Sequence, residues 1–68
     1  MTTLPKHNKL VVEISTGNAA FEGDNYGIEL ARLLRLASVK IEIYREGDDV
    51  SFRLMDINGN KVGTVKNG

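Results

Sequence analysis

The pattern of apolar and polar positions along the chain changes its period at Ser38. Residues 9–15 alternate between an apolar set and a mixed set, which is typical of a β-strand. From about Tyr26 to Ala37 the apolar side chains recur at helical spacing, and Asp24 or Asn25 can cap the first turn. Alternation then returns after Ser38. The pattern therefore predicts a strand, a helix and then further strands.

The predicted helix carries one apolar stripe, which we expect to be its buried face. Glu29, Arg32 and Arg35 lie away from the centre of the stripe, and Leu36 falls off it. The loop before the helix is rich in turn-forming residues but contains Phe21, which would anchor the loop to the core if it were buried. The stripe consists of Tyr26, Leu30, Leu33, Leu34 and Ala37.

The segments 39–44 and 50–55 both alternate and are separated by Glu46-Gly47-Asp48-Asp49, which predicts a β-hairpin. The register that is chemically consistent on both faces of this hairpin has three cross-strand pairs, namely Ile43 with Phe52, Ile41 with Leu54 and Glu42 with Arg53.

A second turn, Asp56-Ile57-Asn58-Gly59, leads into a last strand over residues 60–66. Two registers are open for it. A type I turn with a bulge at Gly59 would place Val62 beside Leu54, whereas a two-residue Asn-Gly turn would place Val65 beside Phe52.

These elements predict an α+β fold in a single small domain over residues 9–68, ordered β-α-β-β-β, after a mobile N-terminal arm of residues 1–8. The antiparallel sheet would have one helix packed on one face, so its other face would be open. The partner-binding candidates are Tyr44, Arg53 and Met55 on that open face, with Asp48 and Asp49 at the hairpin tip. Aromatic and arginine side chains commonly anchor interfaces.

Length and charge restrict the class of protein. A domain of 68 residues has a small core, so we expect a homodimer. The chain has no cysteine and no apolar run long enough for a bilayer, which favours a cytoplasmic protein without a membrane partner. Nine basic and nine acidic residues cancel, which counts against non-specific nucleic-acid binding.

Candidate chemistry is sparse, and we predict neither an enzyme nor a cofactor or metal site. The single histidine, His7, lies in the predicted arm. The segment from Asp56 to Asn60 is similar to the start of a calcium loop, but Lys61 and Asn67 stand where that loop requires glycine and glutamate.

A second hypothesis is a nucleic-acid or nucleotide-binding module. Its cations would be Arg32, Arg35, Lys40 and Arg53, with Tyr44 as a stacking surface.

Three blocks of the chain, Asn18 to Phe21, Glu29 to Ala37 and Asp56 to Thr64, together resemble small uncharacterised accessory proteins of tailed bacteriophages and prophages. Gly17 stands where an aspartate often precedes the first block, and residues 38–55 follow no shared pattern. The resemblance implies a product made in the host bacterial cytoplasm that binds and inhibits or modulates a host protein, including defence components such as CRISPR effectors.

Overall fold

The computed structural model describes residues 8–68 and consists of one α-helix and an antiparallel sheet of three strands. The strands are β1 (Leu10–Ile14), β2 (Ser51–Met55) and β3 (Lys61–Asn67), in the spatial order β1-β3-β2. A short 3-10 helix (Ala19–Phe21) and the helix α1 (Asn25–Ile41) connect β1 to β2. The predicted α+β fold with a single helix is confirmed. Most of the predicted arm, including His7, lies outside the described residues, whereas the backbone N–H of Asn8 donates to the carbonyl of Gly68.

The predicted strand over residues 39–44 is wrong, because α1 continues through Ile41 and ends at Glu42. Ile41 follows Ala37 by one helical turn and packs against the core. The helix therefore buries the same apolar side chain that the strand pattern predicted to be buried. Extending an existing helix also gains one hydrogen bond for each residue that is fixed. Val39 and Ile43 remain 65% and 79% exposed.

Without that strand the predicted first hairpin does not form. Its three cross-strand pairs, Ile43 with Phe52, Ile41 with Leu54 and Glu42 with Arg53, are absent from the sheet, in which β3 is the one strand of residues 8–68 that pairs with β2. The Glu46 to Asp49 segment belongs to the connection between α1 and β2.

The buried face of α1 is rotated relative to the predicted stripe. Leu33 and Ala37 are buried as expected, but Glu29 is buried with them one turn earlier. Tyr26 and Leu34 are about half exposed, contrary to the prediction. Phe21 is buried, so the loop before the helix is anchored as predicted. The core consists of Phe21, Leu33, Ala37, Val50, Leu54, Val62 and Val65.

The turn between β2 and β3 combines features of both predicted registers. Gly59 has a φ of 83° and its N–H donates to the carbonyl of Asp56, as in a type I turn followed by a bulge. Next to the turn Met55 lies opposite Lys61, but an irregularity after Leu54 then shifts the pairing, so that Phe52 lies opposite Val65. The extra residue in β3 allows Val62 and Val65, three positions apart, both to be buried.

Candidate binding surfaces

A buried carboxylate, Asp56, organises the turn between β2 and β3. One of its oxygens accepts the backbone N–H groups of Asn58 (2.9 Å) and Asn60 (2.8 Å). The other accepts the side-chain amides of Asn18 (2.8 Å) and Asn60 (3.3 Å). Asn18 in turn caps the 3-10 helix by accepting the N–H of Ala20. Asp56 therefore ties the loop before the helix to the last hairpin.

A second buried carboxylate, Glu29, joins α1 to the same turn. It forms a two-point ion pair with Arg32 at 2.6 and 3.0 Å and accepts the N–H of Ile57 at 3.0 Å. Arg32 also donates to the carbonyl of Met55 at 3.1 Å. Buried carboxylates are stable in a fold when their oxygens are paired or hydrogen-bonded, and here Glu29 is both paired and hydrogen-bonded while Asp56 accepts four hydrogen bonds.

These contacts depress both carboxyl pKa values. The hydrogen bond from Arg32 is the main cause that lowers the pKa of Glu29, against the opposing effect of burial. For Asp56 the main cause is the backbone N–H of Asn60, again opposed by burial, and its pKa is also lowered. Both groups are therefore ionised at neutral pH and serve as hydrogen-bond acceptors rather than as acids.

Asn18, Glu29, Arg32 and Asp56 come from three separate parts of the chain, and the fold brings them into a network of hydrogen bonds around the turn between β2 and β3. Sequence reasoning missed this network because Glu29 and Asp56 have the appearance of ordinary helix-surface and turn residues. The available signal was the spacing of Glu29 and Arg32 by three residues, which suits an ion pair on a helix.

The outer edge of β2 is the main open surface near this network. The Asn67 N–H donates to the carbonyl of Val50 at 3.2 Å. Because antiparallel hydrogen bonds alternate along a strand, the backbone groups of Ser51, Arg53 and Met55 point away from β3. Arg32 donates a hydrogen bond to the Met55 carbonyl, and within residues 8–68 no strand pairs with this edge.

A groove runs along that edge, beside the end of α1. Lys40 lies above the ring of Phe52, with its Nζ 5.8 Å from the ring centroid, and Tyr44 stacks on the same ring at 6.1 Å. The groove is lined by Lys40, Ser51, Phe52, Arg53, Met55 and Thr64. It thus combines two cations with apolar walls.

A second concave area lies over the polar network and includes Arg32, which donates to the carbonyl of Met55 in the first groove. Its rim carries Ile28 and Ile57, which are 68% and 72% exposed. It is lined by Ala19, Ala20, Asn25, Ile28, Glu29, Arg32, Ile57 and Asn58. We use the name β2-edge surface for Lys40, Arg53, Met55, Arg32 and Ile57 together.

The structure separates the residues predicted to bind a partner. Arg53 and Met55 line the same groove, but Tyr44 lies beyond the end of α1, is half-buried and packs on Phe52, which corrects its predicted place on an open sheet face. Asp48 lies in the connection between α1 and β2, where its carboxylate accepts the N–H of Arg45 at 2.7 Å. Asp49 is exposed beside it.

The cations of the nucleotide-binding hypothesis are also divided. Arg32 is paired with Glu29, and Arg35 is exposed on the helix, while Lys40 and Arg53 share a groove. The ring of Tyr44, which that hypothesis uses as a stacking surface, packs against Phe52.

No group of three His, Cys, Asp or Glu side chains among residues 8–68 is placed to hold a metal ion. The described part of the chain also contains no helix with the length and apolar character needed to cross a bilayer. Comparison of the chain with protein-family models, curated proteins and solved structures gives no match.

Proposed function

We propose that this protein is a small non-enzymatic binding protein that attaches to a host macromolecule through the β2-edge surface and thereby inhibits or modulates it. The observation that carries the proposal is the edge of β2, with which no strand of residues 8–68 pairs, and whose outward-facing backbone groups lie beside Lys40, Arg53 and the exposed Met55. An edge of this kind can accept an extended segment of another protein as an additional strand.

The chemistry of the surface indicates the segment that would fit. Lys40 and Arg53 form no ion pair with another residue of 8–68, so acidic side chains on the partner would complement them. Met55 in the groove and Ile57 in the second concave area, which also contains Arg32, offer exposed apolar contact. The partner is therefore an extended protein segment that carries acidic and apolar side chains.

The biological setting of the proposal comes from the phage resemblance. A phage-type accessory product would be made in the host bacterial cytoplasm, and its target would be a host protein or complex, with defence components such as CRISPR effectors among the candidates. An accessory inhibitor requires only a binding surface, which agrees with the lack of a recognisable nucleophile and base in the sequence.

The test is an affinity pull-down from bacterial lysate with the tagged wild-type protein, Arg53→Glu and the matched control Arg35→Glu. Both arginines are exposed, and both variants have the same net charge. We expect a stoichiometric protein to be retained by the wild type and by the control and to bind Arg53→Glu at least about tenfold more weakly. Equal retention by both variants would show that the β2-edge surface is not the binding site.

Nuclease treatment of the lysate decides between this proposal and the nucleic-acid alternative. A retained protein that survives the treatment supports direct protein binding. Recovery that requires intact nucleic acid, together with salt-sensitive retention on heparin resin, would favour the alternative, because phosphate contacts weaken steeply as salt rises.

A further inference from the structure

The outer edge of β1 differs in chemistry from that of β2. Two backbone hydrogen bonds, from Ser15 to Val62 and from Gly68 to Lys9, fix which residues of β1 face β3. By alternation the N–H and C=O groups of Leu10, Val12 and Ile14 point away from the sheet. The side chains of Leu10 and Val12 are 49% and 41% exposed, although they lie on the same sheet face as the core residue Val65.

We propose that this edge pairs with β1 of a second copy of the chain, in an antiparallel arrangement centred on Val11. In that register Leu10 of one copy faces Val12 of the other, and these two positions exchange backbone hydrogen bonds. The two copies would thereby form one continuous sheet of six strands.

Charge complementarity selects this register. On the sheet face that carries Val11, Lys9 of each copy lies opposite Glu13 of the other, so the two-fold axis creates two pairs of opposite charges. A register centred on Val12 would place Glu13 opposite Val11 and lose both pairs. A register centred on Glu13 would place the two glutamates directly opposite each other, which is unfavourable.

A second copy would also provide hydrogen-bond partners for the backbone groups at the outer edge of β1. Within residues 8–68 nothing pairs with the outer edge of β1, and exposed strand edges are sites of association unless they are protected. Leu10 and Val12 would gain apolar neighbours across the new seam. The β2-edge surface is on the opposite side of the sheet, so it remains accessible in the dimer.

Charge reversal tests the inference by sedimentation equilibrium over micromolar concentrations. We expect a dimer for the wild type and a dissociation constant raised by about tenfold or more for Glu13→Lys, because that substitution places two lysines opposite each other at each charged position. The exchanged double variant, Lys9→Glu with Glu13→Lys, should restore the dimer. Glu22→Lys, an exposed site with the same charge change, serves as the control.

The inference is overturned if the wild type is monomeric, if the exchanged variant dimerises as weakly as Glu13→Lys, or if Glu22→Lys has an equal effect. Circular dichroism of each variant shows whether the fold persists.

A single cysteine provides a second test that does not depend on the charges, and the chain contains no cysteine of its own. Val11→Cys would place two sulfurs at the two-fold axis, where the Cα atoms of facing residues are about 4.5 Å apart, within the range of a disulfide. We expect a cross-linked dimer from Val11→Cys under mild oxidation. In this register the two copies of residue 12 do not face each other but are offset along the strands, so Val12→Cys should cross-link several times more slowly. Equal cross-linking of the two variants, or faster cross-linking of Val12→Cys, would contradict the proposed register.

Discussion

At the scale of single residues, the stability of this fold depends on two buried carboxylates, Glu29 and Asp56, whose positions in the sequence pattern are typical of exposed residues. Asp56 is 4% exposed and receives four hydrogen bonds, two of them from backbone N–H groups of its own turn. A short acceptor at this position satisfies donors that a tight turn would otherwise leave unpaired. The turn, the 3-10 helix and α1 are therefore linked through side chains.

Replacing Asp56 with alanine should destabilise the protein strongly. The substitution leaves the N–H groups of Asn58 and Asn60 and the amide of Asn18 without their acceptor, and buried unpaired donors are costly. We expect the thermal midpoint to fall by on the order of 10 °C. Asp24→Ala is the control, because the Asp24 side chain makes no capping hydrogen bond. Similar midpoints for the two variants would contradict the role given to Asp56.

Acid should unfold the protein as these carboxylates become protonated. The folded-state pKa values of Glu29 and Asp56 lie below their ordinary values of 4.5 and 3.8. Their contribution is therefore fully present above those values and is lost as the pH falls below them, because the unfolded chain binds protons more readily. Urea midpoints measured from pH 6 to pH 2 should be level at first and then decline below about pH 4. A midpoint that is independent of pH over this range would refute the assignment.

At the scale of elements, the close approach of β1 and β3 depends on Gly63. A Cβ atom at this position would overlap the backbone oxygen of Glu13. Because the neighbour is backbone rather than a flexible side chain, the strand itself would have to move. The pairing of β1 with β3 is thus specific to glycine at residue 63.

Gly63→Ala should lower the free energy of unfolding by about 1–3 kcal/mol, the range for overpacking in a close-packed region. Gly17→Ala provides a matched control, because a Cβ at Gly17 meets nothing within 4 Å. Urea denaturation measures both variants. Equal stability of the two would show that β1 adjusts without cost.

The extension of α1 over residues 38–41 can be tested at an exposed position. Val39 lies in the helix with most of its side chain in solvent, and alanine has a higher helix propensity than valine. Val39→Ala should therefore raise the free energy of unfolding by about 0.5 kcal/mol. In the predicted strand the same substitution would lower it, since valine is the better strand former. Chemical denaturation distinguishes the two signs.

At the scale of the whole molecule, the three-stranded sheet has two edges with which no strand of residues 8–68 pairs, and the two differ in chemistry. The edge at β1 is apolar and has complementary charges within its own sequence, whereas the edge at β2 combines cations with an apolar groove. We propose a separate partner for each edge, namely a second copy of the chain at β1 and a segment of a host protein at β2.

If the two edges act independently, a substitution at one edge should leave binding at the other edge unchanged. Glu13→Lys should lose dimerisation but bind a monovalent form of the captured partner within about twofold of the wild-type affinity, because sites without shared contacts behave additively. Arg53→Glu should lose the partner and keep the dimer. Surface-immobilised binding and sedimentation measure the two properties. A variant that impairs both functions while it remains folded would show that the edges are coupled.

The parts of the fold that sequence predicted correctly are those with strong local signals. The alternation over residues 9–15 gave β1, the helical spacing before Ala37 gave α1, and the turn-forming Asp56 to Gly59 segment gave the last hairpin. The prediction of a strand over residues 39–44 is wrong because Ile41 fits an apolar position in both the helical and the strand period. The sequence pattern predicts that Arg53 and Met55 lie together, as they do, but it does not predict the hydrogen bond from Arg32 that joins Met55 to α1.

The sequence by itself determined the α+β class, the position of the helix start and the absence of cysteine chemistry, because each follows from local spacing or composition. Only the tertiary structure decided where α1 ends, the shift in the β3 register and the burial of Glu29 and Asp56. Those features depend on partners far away in the chain, such as Asn18 for Asp56 and the Ile57 N–H for Glu29. A local pattern shows that a side chain is polar, but the packing of distant segments decides whether that polar group faces water or holds the core together.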